Sequence, residues 1–232
     1  IFFGGIGFLV IMDVLKRRNF RKLALHSKVV LTTSIVLIVL GTVLLKFTEH
    51  ISWMGAFFHS ISARTAGFST YSIGEFTNAG LFVLCVLMFI GASPGSTGGG
   101  IKTSTFFVLA QSTRSMFSKQ AVGAFKRSIS SQNVSKAYAI SMLSALVVIV
   151  ATFLLCVLEP EFQFIQLLFE VISAFGTVGL STGITPDLSG AGKLVIILVM
   201  FIGRLGAMTL ISMWIERPEK MIRYTEETIA IG

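Results

Sequence analysis

The sequence predicts an all-α membrane protein made of tandem helical units. Three observations carry that expectation: the composition, long apolar runs parted by basic clusters, and an internal repeat. Hydrophobic residues make up 53% of the 232 residues and charged residues 13%, about half the charged share of an ordinary soluble domain. The net charge of +8 does not point to nucleic acid, because the basic residues gather between apolar segments instead of covering a polar surface. Cys85 and Cys156 lie inside apolar runs and read as small buried hydrophobes, not as a disulfide. His26, His50 and His59 lack metal-ligand spacing, and there is no catalytic triad, CxxC or HExxH motif.

Residues 1–12 are apolar and are followed by Lys16, Arg17 and Arg18. A secretory signal has the opposite order, so residues 1–12 are expected to be the tail of a helix leaving the membrane toward the cytoplasm, in a chain that continues something longer. A membrane helix needs about 20 apolar residues. Residues 29–45 and 139–158 meet that as unbroken spans. Residues 81–110 span only as two halves around the stretch MFIGASPGSTGGGIKTST at 88–105. Residues 194–215 span with Arg204 near the middle. Residues 51–63 and 164–174 are too short to cross, and each runs into a polar, glycine-containing stretch. They are expected to dip in and return, as backbone can only where it is buried in protein or lines water.

Three basic groups fall on one side of this topology: Lys16, Arg17, Arg18, Arg21, Lys22 and Lys28; Arg114, Lys119, Lys126, Arg127 and Lys136; and Arg217, Lys220 and Arg223. That side is expected to be cytoplasmic at the plasma membrane. Glu49, Glu75, Glu159, Glu161 and Asp187 then face outside, where they are expected to enrich cations near the re-entrant loops.

The repeat gives the units. FHSISARTAGFST at 58–70 aligns with FEVISAFGTVGLST at 169–182 once one residue is inserted, which sets Gly67 on Gly179. LMFIG at 87–91 matches VMFIG at 199–203, and the distance from Gly67 to Gly91 equals that from Gly179 to Gly203, 24 residues. IFFGGIG at 1–7 lines up with MFIGASP and MFIGRLG, so at least one unit, and by expectation two, precedes residue 1. Each unit reads as entry span (M1), short pore helix, loop and exit span (M2), with the units around a central pore. The expected organisation is an exit-helix end with a basic loop at 1–28, a third unit with a broken exit helix at 29–118, a linker at 119–136, a fourth unit at 137–216 and a cytoplasmic tail at 217–232.

Thr177-Val178-Gly179-Leu180 resembles the first part of the TVGYG loop of potassium channels. A dehydrating ion needs oxygens at fixed spacing, backbone carbonyls supply them, and glycine permits the dihedrals that aim them at one axis. Thr65-Ala66-Gly67-Phe68 is expected to do the same. Ser69 and Ser181 stand where TVGYG has its second glycine, which predicts fewer strained residues, fewer good sites and weaker selectivity.

On these two TxG[FL]S loops, the glycine-rich break and the exit-helix arginine, the chain resembles the C-terminal half of the Trk/Ktr/HKT superfamily of potassium transporters, most like the bacterial Ktr type. The resemblance covers essentially all of the chain. It implies a potassium-conducting subunit that is not an enzyme. It also implies K+ at the filter residues, sodium as a second candidate cation, and no organic cofactor in this chain. The family pattern adds a homodimer in membrane lipid and a cytoplasmic nucleotide-binding ring as partner. It makes the break an intramembrane gating loop formed by Gly91, Ser93, Pro94, Gly95, Ser96, Thr97, Gly98, Gly99, Gly100 and Lys102.

From the residues alone, 91–100 is too poor in helix formers to continue the helix and returns to mid-membrane depth, where the hydroxyls of Ser93, Ser96 and Thr97 could bind or block an ion. Gly95 and Gly100 also have the spacing of a phosphate loop before Lys102-Thr103, but Ile101 interrupts that motif; a helix-packing motif is a further reading. Arg204 sits about 16 Å from either end of its span, where a charge costs about 2.5–3.5 kcal/mol. It is expected to face the pathway and join the gate, against a structural ion pair. Arg64 is expected to pair with a pore-helix carboxylate, with Glu170 as candidate. A secondary transporter that binds a small solute at the broken helix is the alternative reading, and an ATPase is the third.

Overall fold

The computed structural model describes residues 1–118, 121–125 and 127–206. Residues 207–215 of the expected last span and the tail at 217–232 lie outside the described residues. The described chain is helical except for one small hairpin.

Two helices are long and apolar enough to cross a membrane, α3 (Leu25–Thr48) and α7 (Ser131–Leu158). At 24 and 28 residues they reach about 36 and 42 Å. Both are apolar on all sides, the pattern of a helix surrounded by protein and lipid: Ile35, Val39, Ile149 and Phe153 stay exposed while Leu37, Leu45, Val148 and Leu155 are buried. Each is followed by a short helix, α4 (Trp53–Ser62) or α8 (Phe164–Phe175), then by a loop and an exit helix, α5 (Asn78–Phe89) or α9 (Gly190–Leu205). Side-chain oxygens start these helices: the hydroxyls of Ser52, Thr77 and Ser189 accept the N–H of Gly55, Gly80 and Gly192, satisfying donors the first turn leaves free. The α8 start is a capping box between Gln163 and Gln166.

The exit helix of the first unit stops at Phe89 and restarts as α6 (Thr103–Ser118). The residues before it also break: α1 (Phe2–Ile6) and α2 (Phe8–Arg17) meet at Gly7, whose φ is 89°. Gly206, at the same repeat position, ends α9 with φ 85°. Residues 1–12 are therefore two helices, not the one expected, because Gly7 packs against the Pro94 carbonyl. A two-stranded antiparallel hairpin, β1 (Gly123–Ala124) and β2 (Arg127–Ser128), occupies the linker.

The core lies between the units. α8 packs on α5, α7 and α9, and Phe169, Phe175, Leu84, Met88, Leu155 and Leu167 are fully buried there. The outer ends of the units carry a correction. Glu49 and Glu159 are buried. Glu49 Oε1 accepts the Thr77 N–H at 2.9 Å and its hydroxyl at 2.7 Å, and Glu159 Oε1 accepts the Ser189 N–H at 2.9 Å. These carboxylates join the end of each long helix to the start of its exit helix and are not free to gather cations, since a buried charge is held by its hydrogen bonds. Glu75, Glu161 and Asp187 are exposed.

Candidate functional site

The two TxG loops hang from the C-terminal ends of α4 and α8 and meet each other. Their backbones are wound alike. The N–H groups of Ala66 and Gly67 donate to the Ser62 carbonyl at 3.0 and 3.2 Å, and the Val178 N–H donates to the Ser173 carbonyl at 2.9 Å. Gly67 and Gly179 have φ of 76° and 95°, and Thr65 and Thr177 have φ of 76° and 49°. The expectation gave the left-handed conformation to glycine alone. Here a β-branched residue takes it too, at about 1–2 kcal/mol each. Left-handed residues at Thr65 and Gly67 flank Ala66, which has no positive φ, so successive peptides turn in alternation. A side chain at Gly67 would overlap the Val178 carbonyl oxygen, whereas one at Gly179 would sit 3.7 Å from the Gly67 Cα.

The residues after each glycine are held from the short helix. Ser62 donates its hydroxyl to the Phe68 carbonyl, and Ser173 donates to the Leu180 carbonyl at 2.6 Å. Phe68 and Leu180, expected as ion ligands, therefore have their carbonyls engaged by protein. One position further, His59 Nε2 lies 3.1 Å from the Ser69 hydroxyl, and Ser181 donates to Glu170 Oε1 at 2.8 Å. Glu170 also accepts the Thr182 N–H at 2.8 Å and the hydroxyls of Thr182 and Thr185 at 3.0 and 2.8 Å. His59 and Glu170 occupy the same repeat position, in FHSIS and FEVIS. This serine-anchoring pair was not among the expected site residues, although the alignment of FHSIS with FEVIS carries its signal.

Arg64 does not meet Glu170. Its guanidinium is buried and reaches the Ser34 carbonyl and hydroxyl and the Gly91 carbonyl, each at 3.4 Å. No carboxylate pairs with it among the described residues. Gly91 follows the last turn of α5, so Arg64 sets a cation at the negative end of that half-helix.

The glycine-rich stretch forms a loop pinched at its base by a bridge between Ile90 and Ile101, with the Ile101 N–H on the Phe89 carbonyl at 3.1 Å. Gly100 lies against the carbonyls of Met88 and Phe89. The tip lies directly against both TxG threonines. The Gly99 N–H donates to the Thr177 hydroxyl at 3.0 Å, and a side chain at Gly98 would overlap the Thr65 hydroxyl. Close approach is what these two glycines permit. Two cations hold the tip: Arg204 donates to the Thr97 carbonyl and Lys102 to the Gly98 carbonyl. The leading edge is anchored to the preceding break. Buried Ser93 donates its N–H to the Gly5 carbonyl at 3.0 Å and its hydroxyl to the carbonyls of Gly5 and Ile6, while the Phe8 N–H donates to the Gly95 carbonyl at 3.3 Å. Ser96 donates to the Ser93 carbonyl. The hydroxyls of Ser93 and Ser96, expected to meet an ion, are thus spent on backbone carbonyls. Among the described residues no group of three or more His, Cys, Asp or Glu is placed to hold a metal ion.

Comparison with known proteins points the same way. The family model described as TrkH, cation transport protein, matches residues 23–223. The chain is 42% identical to Ktr system potassium uptake protein B of Vibrio alginolyticus over 246 aligned positions, covering 99% of this chain and 54% of that protein. It is 37% identical to the protein of the same name from Bacillus subtilis, with 99% and 54% covered. It is 39% identical to the potassium/sodium uptake protein NtpJ of Enterococcus hirae, with 99% and 55% covered. The crystal structure of the potassium transporter TrkH from Vibrio parahaemolyticus superposes with a TM-score of 0.72 at 20% identity, over 91% of this chain and 49% of that one. That likeness speaks for the fold. The chain spans about half the length of the curated relatives it matches.

Proposed function

The chain belongs to the TrkH family of cation transport proteins, and from that premise we propose that it is an ion-conducting membrane part of a potassium uptake system, at the plasma membrane with its basic loops cytoplasmic. The ion sheds water against the carbonyls of Thr65, Ala66 and Gly67 and of Thr177, Val178 and Gly179, with the threonine hydroxyls at the inner end. The alternating dihedrals support this reading, and the serine, His59 and Glu170 contacts supply the rigid frame that such a ring needs. Passage down the electrochemical gradient involves no covalent step, and the matched relatives are named as transporters, not enzymes. Sodium is a second candidate cation, as the name of NtpJ suggests for that protein.

The glycine-rich loop is the gate in this reading, and the arrangement corresponds to its closed position. Gly98 and Gly99 stand beneath the two threonines, and Lys102 and Arg204 add positive charge in the path of a dehydrated cation. Opening withdraws residues 95–100 while Ser93 stays anchored. The relatives' names speak of a Ktr system, which supports a soluble regulatory partner, and the family resemblance adds a homodimer.

The observation that carries the proposal is the contact of one loop tip with the threonines of both TxG loops. The test is ion flux through vesicles reconstituted with the chain as the cell makes it. Rapid rubidium or potassium flux that reverses near the potassium potential supports a pore. Slow, saturable uptake coupled to another solute would replace it with a carrier.

A further inference from the structure

Beside the gate, a cavity of about 350 Å³ opens between α3, α6 and α7. Its polar wall is made by His26, Ser104, Thr105, Asn133 and Lys136. Among the described residues none that lines it is acidic. Among the described residues His26 Nε2 is buried without a hydrogen-bond partner, a costly condition unless something supplies one. The rest of the lining is apolar, including Val29, Phe107 and Ile140. The cavity lies at the first turns of both long helices, near Leu25 and Ser131, which is where a spanning helix emerges among headgroups.

We propose that this cavity binds the phosphate-bearing headgroup of an anionic phospholipid of the inner leaflet. Lys136 supplies the counter-charge, and the hydroxyls of Ser104 and Thr105, the Asn133 amide and His26 Nε2 supply hydrogen bonds. A free anion would use the polar groups alone, whereas a lipid also covers the apolar part of the lining, so the mixed lining favours the lipid. The inner leaflet is the anionic one and attracts basic residues at the membrane surface. Ser104 and Thr105 belong to the first turn of α6, immediately after the glycine-rich loop, so a seated headgroup braces the half-helix into which that loop runs. The choice of leaflet rests on the orientation proposed above.

The test measures lipid retention, which needs no ion flux and so stands apart from the potassium assignment. The purified full-length protein in mild detergent is offered equal amounts of phosphatidylglycerol and phosphatidylcholine, and retained lipid is counted by native mass spectrometry. Phosphatidylglycerol is expected to be retained preferentially. Lys136→Gln is expected to lower its retention about fivefold and Thr105→Ala to lower it less, while Lys22→Gln, outside the cavity, leaves it unchanged. Equal retention of the two lipids overturns the proposal, as does a Lys136→Gln protein that behaves as wild type. Displacement of the lipid by inorganic phosphate as readily as by more phosphatidylglycerol would instead assign the cavity to a soluble anion.

Discussion

The Gly99 N–H reaches across 3.0 Å to the Thr177 hydroxyl, and so the break in one unit's exit helix is fastened to the TxG loop of the other. In the proposed reading Thr177 lines the ion path and Gly99 belongs to the gate, so withdrawing the loop would free that hydroxyl and make removal of the barrier and completion of the inner ion site a single event.

The two TxG glycines should not respond alike to substitution. Gly67 combines a φ of 76° with no room for a side chain, whereas Gly179 has φ 95° and ordinary van der Waals space. Both Gly67→Ala and Gly179→Ala are expected to weaken potassium-over-sodium discrimination, and a serine at 179 should do the same. Only Gly67→Ala should also lower the stability by clearly more than the roughly 1–2 kcal/mol of a left-handed alanine. Sodium competition against rubidium uptake and thermal unfolding check this, and unchanged discrimination in either variant would remove that glycine from the ion path.

Glu170 gathers four donors from residues 181–185. Glu170→Gln keeps the shape but replaces one acceptor oxygen with an amide group that meets donors. A loss of about 2–3 kcal/mol is expected, as for hydrogen bonds to a charged group, together with poorer discrimination. A variant with normal stability and normal selectivity would show that the serine anchor does not stiffen the loop.

Arg204 donates to the Thr97 carbonyl at the loop tip and Ser93 to the carbonyls of Gly5 and Ile6 at its leading edge, so in the proposed gating reading their variants separate barrier from anchor. Arg204→Gln is expected to give assembled protein with faster potassium flux. Ser93→Ala should also speed flux but with a loss of about 1–3 kcal/mol, because buried carbonyls lose their donor. Deleting residues 96–99 should raise flux further. Loss of assembled Arg204→Gln protein, with no faster flux in what remains, would make Arg204 a structural residue.

Asp13 gives a pH dependence at the basic end of α2. The Ser27 hydroxyl at 2.7 Å, then the Ala24 N–H at 2.8 Å and Arg17, hold its carboxyl below the usual carboxylate range. A carboxyl with a depressed folded pKa contributes stability that is complete above its unfolded pKa and is lost as pH falls through the folded one. Docking of residues 18–28 is therefore expected to be pH-independent near neutrality and to weaken only in strong acid. Asp13→Asn should flatten that acid limb in thermal unfolding scans.

The long helices were legible because unbroken apolar runs such as 29–45 leave few other solutions in a membrane. The short helices were legible from their length and from the polar residues that follow. The equal 24-residue spacing made the repeat visible in the sequence. Side-chain partners were not legible in the same way. Arg64 was expected on a carboxylate and instead lies against Ser34 and Gly91, because α4 turns it toward α3 and the end of α5. The left-handed threonines could not be read from residue type, since threonine disfavours that region and takes it only where surrounding contacts impose it. The break at Gly7 was hidden because five apolar or glycine residues on either side read as one helix.

The Glu49–Thr77 and Glu159–Ser189 contacts have a consequence for biogenesis. Each closes a loop of chain within its own unit, so the first can form while the second unit is still on the ribosome. Insertion is then expected to proceed one cassette at a time, because each closure is local to its own unit. A polypeptide divided in the linker after α6 keeps both closures intact, and the two pieces made separately should find each other through the α5–α8 face.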